Sequence, residues 1–206
     1  SQLHDGQVEV QGLSVGTNDL CVRTSDGRAT MATAEVRGNG TTQVTCNLQP
    51  AATLELHSTA ATQPLKWQVL ACTADGVPTV ALEEGTLATG ETNATLTGLP
   101  ATPVLIVCSS GERWVVRANL EAGATTSVPL HAESVGSELQ ITWPEHLSVR
   151  ALTFALVSPH QVQTGAQHTA VMSWYTPVNA AVHEHTLGTV PSGVYDIVAY
   201  PDAGTG

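Results

Sequence analysis

The chain repeats itself at intervals of about 85 to 91 residues, and this periodicity constrains its fold more than any single motif. Asp19–Leu48 can be set without a gap over the segment 84 positions later. Ser25 then meets Ser109, Gly27 meets Gly111, Ala34 meets Ala118, Thr41-Thr42 meet Thr125-Thr126 and Val44 meets Val128. Just upstream, QVEVQGLSVG from Gln7 parallels NATLTGLPAT from Asn93. A third copy starts later: LTGLPATPVLIVCS from Leu96 lies over LGTVPSGVYDIVAY from Leu187, placing Pro100 over Pro191 and Ile106-Val107 over Ile197-Val198. The early halves also match, TLELH (53–57) with ELQIT (138–142) and LKWQVL (65–70) with LTFALV (152–157), which aligns Trp67 with Phe154. A repeat this long is a whole small domain, not a solenoid unit.

The middle copy, 51–132, is the complete one. Alternating or continuous apolar segments predict seven strands, at 52–57, 65–72, 77–83, 91–97, 103–109, 112–120 and 124–131. Turn residues separate them, among them Ala74-Asp75-Gly76, Thr89-Gly90, Ser110-Gly111 and Ala122-Gly123. Seven short strands with turns at this spacing predict a β-sandwich. The first copy, 1–50, starts at the equivalent of strand four. The last, 136–206, stops after the equivalent of strand five. The expected fold class is therefore all-β, with tandem seven-stranded sandwich domains in one complete and two partial copies.

Composition agrees and excludes several functions. Only 12% of residues are charged, about half the usual share of a globular domain. Thr, Ala, Gly, Ser and Val fill the space, and β-branched residues favour strands. The net charge is −11 with seven basic residues, and Lys66 is the sole lysine. Nucleic acids and anionic membranes need clustered cations, so neither is expected as a partner. The densest apolar run, Pro103–Cys108, has strand length and falls far short of the roughly 18 residues of a membrane helix.

The strand, G-[LV]-P-x-[GT] turn and following strand, best seen at Val190-Pro191-Ser192-Gly193-Val194-Tyr195, resemble the carboxypeptidase regulatory-like domains. That resemblance covers nearly the whole chain. It implies a transthyretin-like (prealbumin-like) or Ig-like sandwich and an extracellular, often tandem, non-catalytic module, without specifying a ligand.

Several motifs invite chemistry, and their context declines it. Gly12-Leu13-Ser14-Val15-Gly16 fits the G-x-S-x-G nucleophile elbow, but a strand instead of a helix is predicted to follow. The same slot recurs as Gly98-Leu99-Pro100, so the motif reads as a turn. His183 and His185, two apart on a strand, share a face and are weak metal candidates, with His160 and His168 nearby in sequence. Trp67, Trp114 and Trp143 read as core, and Trp174-Tyr175 is the best candidate for an exposed aromatic pair, although core is the favoured reading there too. Lys66 is present in one copy only, so isopeptide chemistry is not a property of the repeat. Asn39-Gly40-Thr41 and Asn93-Ala94-Thr95 match the glycosylation pattern.

Four cysteines in a lysine-poor β-protein point to an oxidising compartment. Locality favours the pairs Cys21–Cys46 and Cys72–Cys108, each worth roughly 3 kcal/mol. Strand parity opposes both, since Cys21 and Cys72 fall on outward positions and Cys46 and Cys108 on inward ones. Two bridges remain the expectation, with four buried thiols as the alternative.

The expected function is a secreted or cell-surface structural or adhesive protein, not an enzyme, without a cofactor. Its partners are other copies of the repeat or neighbouring domains of a longer chain. One alternative is a non-catalytic accessory module that binds a ligand such as carbohydrate. The other is a filament subunit, a homo-polymer built by donor-strand complementation. The excerpt of a longer array is the favoured explanation of the ragged ends, and the two incomplete copies are expected to expose apolar residues such as Ile197 and Val198.

Overall fold

A computed structural model describes residues 3–4, 7–38, 40–59, 63–131, 137–157, 170–179 and 181–201. The first copy contributes β1 (Leu3–His4), β2 (Gln7–Val8), β3 (Gly16–Arg23), β4 (Arg28–Val36) and β5 (Gln49–Pro50). The middle copy contributes β6 (Ala52–His57), β7 (Leu65–Cys72), β8 (Pro78–Leu87), β9 (Asn93–Leu99), β10 (Pro103–Ser110), β11 (Glu112–Asn119) and β12 (Thr125–Pro129). The last contributes β13 (Ser137–Thr142), β14 (Val149–Val157), β15 (Ala170–Pro177), β16 (Glu184–Val190) and β17 (Val194–Pro201). No helix occurs among the described residues. The seven strands predicted for the middle copy all form, within a few residues of their expected ends.

Those seven strands make two sheets, ordered β11-β10-β7-β8 and β12-β6-β9, with β12 parallel to β6. The pattern of β6 shows why. Ala52, Leu54 and Leu56 are buried and alternate with half-buried Thr53, Glu55 and His57, so one face meets the core. Leu54 and Leu56 share one buried cluster with Val69, Ile106 and Cys108 from the other sheet. Each such side chain is worth roughly 1.5–3 kcal/mol on burial.

The last copy repeats this order with five strands. Its sheets are β13-β16 and β15-β14-β17, matching β6-β9 and β8-β7-β10. Register repeats too: Leu54 opposite Leu96 recurs as Leu139 opposite Leu187, and Leu56 opposite Ala94 as Ile141 opposite His185. One alignment needs correction. Ile106 faces Val69, whereas Ile197 faces Phe154. Phe154 thus takes the place of Val69, not of Trp67. The slip is two residues, and an even slip keeps every side chain on its face.

Two positions filled in the middle copy are open in the last. Among the described residues, nothing pairs with the second edge of β17, where β11 flanks β10, or of β13, where β12 flanks β6. Ile197 and Val198 are 43% and 51% exposed, against 0% and 3% for their equivalents Ile106 and Val107.

In the first copy, β3 and β4 form a hairpin extended by β5, which meets β4 only at Arg28 and Ala29. The segment 41–48, aligned with β12, forms no strand. The reason is topological. β12 exists by pairing with β6, and among the described residues no strand stands in that relation to 41–48.

The copies pack on one another. Arg23 of β3 reaches the edge of β8, contacting Glu83 at 2.5 Å and donating to the Leu82 carbonyl at 2.9 Å. On the outer face of the four-stranded sheet, Leu70, Cys72, Leu105, Val107 and Val115 form a buried cluster with Leu156, against which Met172 and Tyr195 pack. This cover explains why Val104–Cys108 is buried residue after residue, as befits a strand with both faces occupied.

Candidate functional site

The sequence motifs resolve mostly into structure. Ser14 lies in a loop, not an elbow. The Asn18 amide donates to the carbonyls of Ser14 and Gly16 at 2.8 and 2.9 Å, and β3 follows directly. Gly12 and its repeat equivalent Gly98 both adopt the left-handed region, at φ 78° and 74°, the backbone need that explains the recurrent glycine. His183 lies just before β16, and His185 is the second residue of that strand, opposite Ile141. No group of three metal-ligating side chains occurs among the described residues. His160, His168 and Asn39 lie outside the described residues. Asn93 at the second glycosylation triplet is hydrogen-bonded to His57 at 2.6 Å. Lys66 faces Thr86 and Ser109 on the neighbouring strands, so no amide or carboxylate stands directly opposite it.

Of the aromatic pair proposed from sequence, Trp174 is structural. It stacks on Phe154 with centroids 5.7 Å apart, meets Tyr195 edge-on at 5.9 Å, and carries the Arg113 guanidinium 4.0 Å above its ring. Tyr175 is 63% exposed and lies 6.2 Å from Tyr200. Trp67 packs against the main core and lies over Gly85, where a Cβ would come within 2.3 Å of the ring.

The expected disulfides do not form: all four cysteines are free. Cys108 belongs to the core between the two sheets, and Cys72 to the cluster on the outer face of the same sheet. Side chains on opposite faces cannot converge on one S–S bond. Parity had indicated this, and parity prevails over locality. Cys21 packs against the main core, and Cys46 sits in the segment 41–48 that forms no strand.

Burial pushes the Cys72 thiol up to about 11 and Cys108 to about 12, from an ordinary 9.0. Burial also raises Tyr195. In each case the folded state holds a proton that the unfolded state releases at lower pH. The stabilisation is therefore complete below pH 9 and is lost as pH climbs toward 11–12. Urea unfolding at pH 8 and pH 11 should show a loss of about 2 kcal/mol per buried thiol. The Cys72→Ala and Cys108→Ala variants should each lose less than the parent. Equal losses in parent and variants would show that these thiols ionise freely in the fold.

Where the last copy overlies the middle one, an open groove of about 540 Å³ remains. Register defines its floor on the outer face of the four-stranded sheet. One row across the strands reads Thr86, Lys66, Ser109, Arg113, and the next begins with Glu84 and Gln68. Met172, Ser173 and Trp174 of β15 border it from the last copy. The apolar positions of the same face, among them Val107 and Val115 at the far end of that second row, are covered, and the polar positions are left open. A smaller cavity of about 290 Å³ beside Gly76 holds the Arg117 side chain, which donates to the Gly76 carbonyl at 3.3 Å.

Sequence reasoning missed the groove. Its residues come from separate strands, and only the cross-strand register brings them together. Comparison of the chain with protein-family models, with curated proteins and with solved structures gave no match.

Proposed function

We propose that this chain is a non-catalytic structural module of tandem transthyretin-like sandwiches, working in a secreted or surface setting through contacts between repeats. The observation that carries this reading is the contrast between equivalent strands. β10 is flanked on both sides and buried, whereas among the described residues β17 is paired only with β14, the equivalent of β7, and exposes Ile197 and Val198. An unpaired strand with apolar side chains is a template for another strand.

A neighbouring repeat or a second copy is the natural occupant, because the strand that flanks β10 is itself a strand of this repeat. The filament reading is one form of this. Among the described residues the last copy shows no counterpart of β11 or β12, while β4 and residues 41–48 align with those two strands of the middle copy. Exchange would trade the pairing of β4 with β3 for pairing with β17, and would give 41–48 the partner it lacks.

Sedimentation velocity across a hundredfold concentration range tests this, combined with hydrogen exchange on β17. Self-association with rising protection of β17 amides is expected. A strict monomer with strongly protected β17 amides would overturn it.

A further inference from the structure

The groove between the middle and last copies combines features that a packing seam does not require. Lys66 and Arg113 flank Ser109 in one cross-strand row, with side chains on one face and neighbours roughly 5 Å apart. In a chain of net charge −11, these are two of only seven basic residues. Arg23 and Arg28 are paired with Glu83 and Asp26. Among the described residues, no carboxylate lies within ion-pair distance of Lys66 or Arg113. The Arg113 Nε is buried without a hydrogen-bond partner, and Arg113 lines the groove.

We propose that this groove binds a saccharide bearing a single carboxylate, held by Lys66 and Arg113. The volume falls within the roughly 300–1,000 Å³ of small-molecule sites. The cations supply charge-assisted donors to the carboxylate. Thr86, Ser109, Ser173 and Gln68 offer hydroxyl and amide groups to the sugar hydroxyls, and Glu84 accepts from them. Glu84 and the acidic surface disfavour a polyanion, which limits the ligand to one negative charge beside the cations. Trp174 offers no stacking face, since Phe154 and Arg113 occupy its ring. Recognition is therefore polar, not platform-like. This inference stands on the accessory-module alternative and does not depend on assembly through β17.

The test is calorimetric titration of the full chain with xylotriose carrying one glucuronate, with plain xylotriose, and with inorganic sulfate. Saturable binding of the glucuronate-bearing sugar is expected, at least tenfold tighter than either control. Lys66→Gln should weaken it about tenfold, and Arg28→Gln, at an exposed pair remote from the groove, should leave it unchanged. Tryptophan fluorescence should confirm that Lys66→Gln retains the fold. No saturable binding, equal binding of plain xylotriose or sulfate, or equal loss in the two variants would each overturn the proposal. Binding by a chain that sedimentation shows to be monomeric separates this outcome from that of the assembly reading.

Discussion

Replacing Ile106 by alanine is expected to destabilise the fold by about 2–5 kcal/mol, and the same change at Ile197 by about 1 kcal/mol or less. The two isoleucines are equivalent in sequence and strand, each opposite a core residue of its own copy, Val69 and Phe154. What differs is the neighbour on the far side. Ile106 is fully enclosed and its truncation leaves a cavity, because Val116 on β11 stands opposite and the second sheet lies across the core. Ile197 is already open to water, so truncation removes only part of a transfer energy and creates no enclosed void. Chemical unfolding should be followed by hydrogen exchange, which reports each copy separately if they do not unfold together. Equal costs at both positions would mean that β17 is covered in solution, and the assembly reading would then have to name the cover.

Much of this architecture is legible in the residues because repetition gives two readings of each position. The pairing of Leu54 with Leu96 could be anticipated in the last copy as Leu139 with Leu187, since both alignments carry the same pattern. Gly12 and Gly98 mark one turn because only glycine enters the left-handed region without penalty. The parity of Cys72 and Cys108 correctly placed them on opposite faces, although locality and composition argued for a bond.

The outer cluster was less accessible. Pro103–Cys108 reads as a strand from its length, but a continuous apolar run does not say what covers its second face. Leu156 and Met172 supply that cover across a gap in sequence that no periodicity bridges. The register of Phe154 slipped by two for a related reason. Strand faces follow parity, and parity is silent about even displacements. The groove is the extreme case, since Lys66, Ser109 and Arg113 carry no shared motif and meet only through pairing.

Appending residues 111–131 after Gly206 is expected to close the last copy and to change three observables together. In the middle copy this segment supplies β11, antiparallel to β10, and β12, parallel to β6. Among the described residues nothing occupies the equivalent places beside β17 and β13. Filling both places pairs the free N–H and C=O groups of β17 and buries Ile197, at roughly 25 cal/mol per Å² of apolar surface. The amides of β17 should then exchange about a hundredfold more slowly, as for about 3 kcal/mol of added local stability. The cost of Ile197→Ala should rise from about 1 kcal/mol to the 2–5 kcal/mol expected at Ile106. Self-association should disappear, because the template edge has been used inside the molecule. The three effects share one cause, so they must appear together. A protected β17 with unchanged self-association would move the assembly contact to another edge. An unprotected β17 would mean that the fifth strand of the last copy does not accept the sixth, and the equivalence between the copies would end at the pairing of β14 with β17.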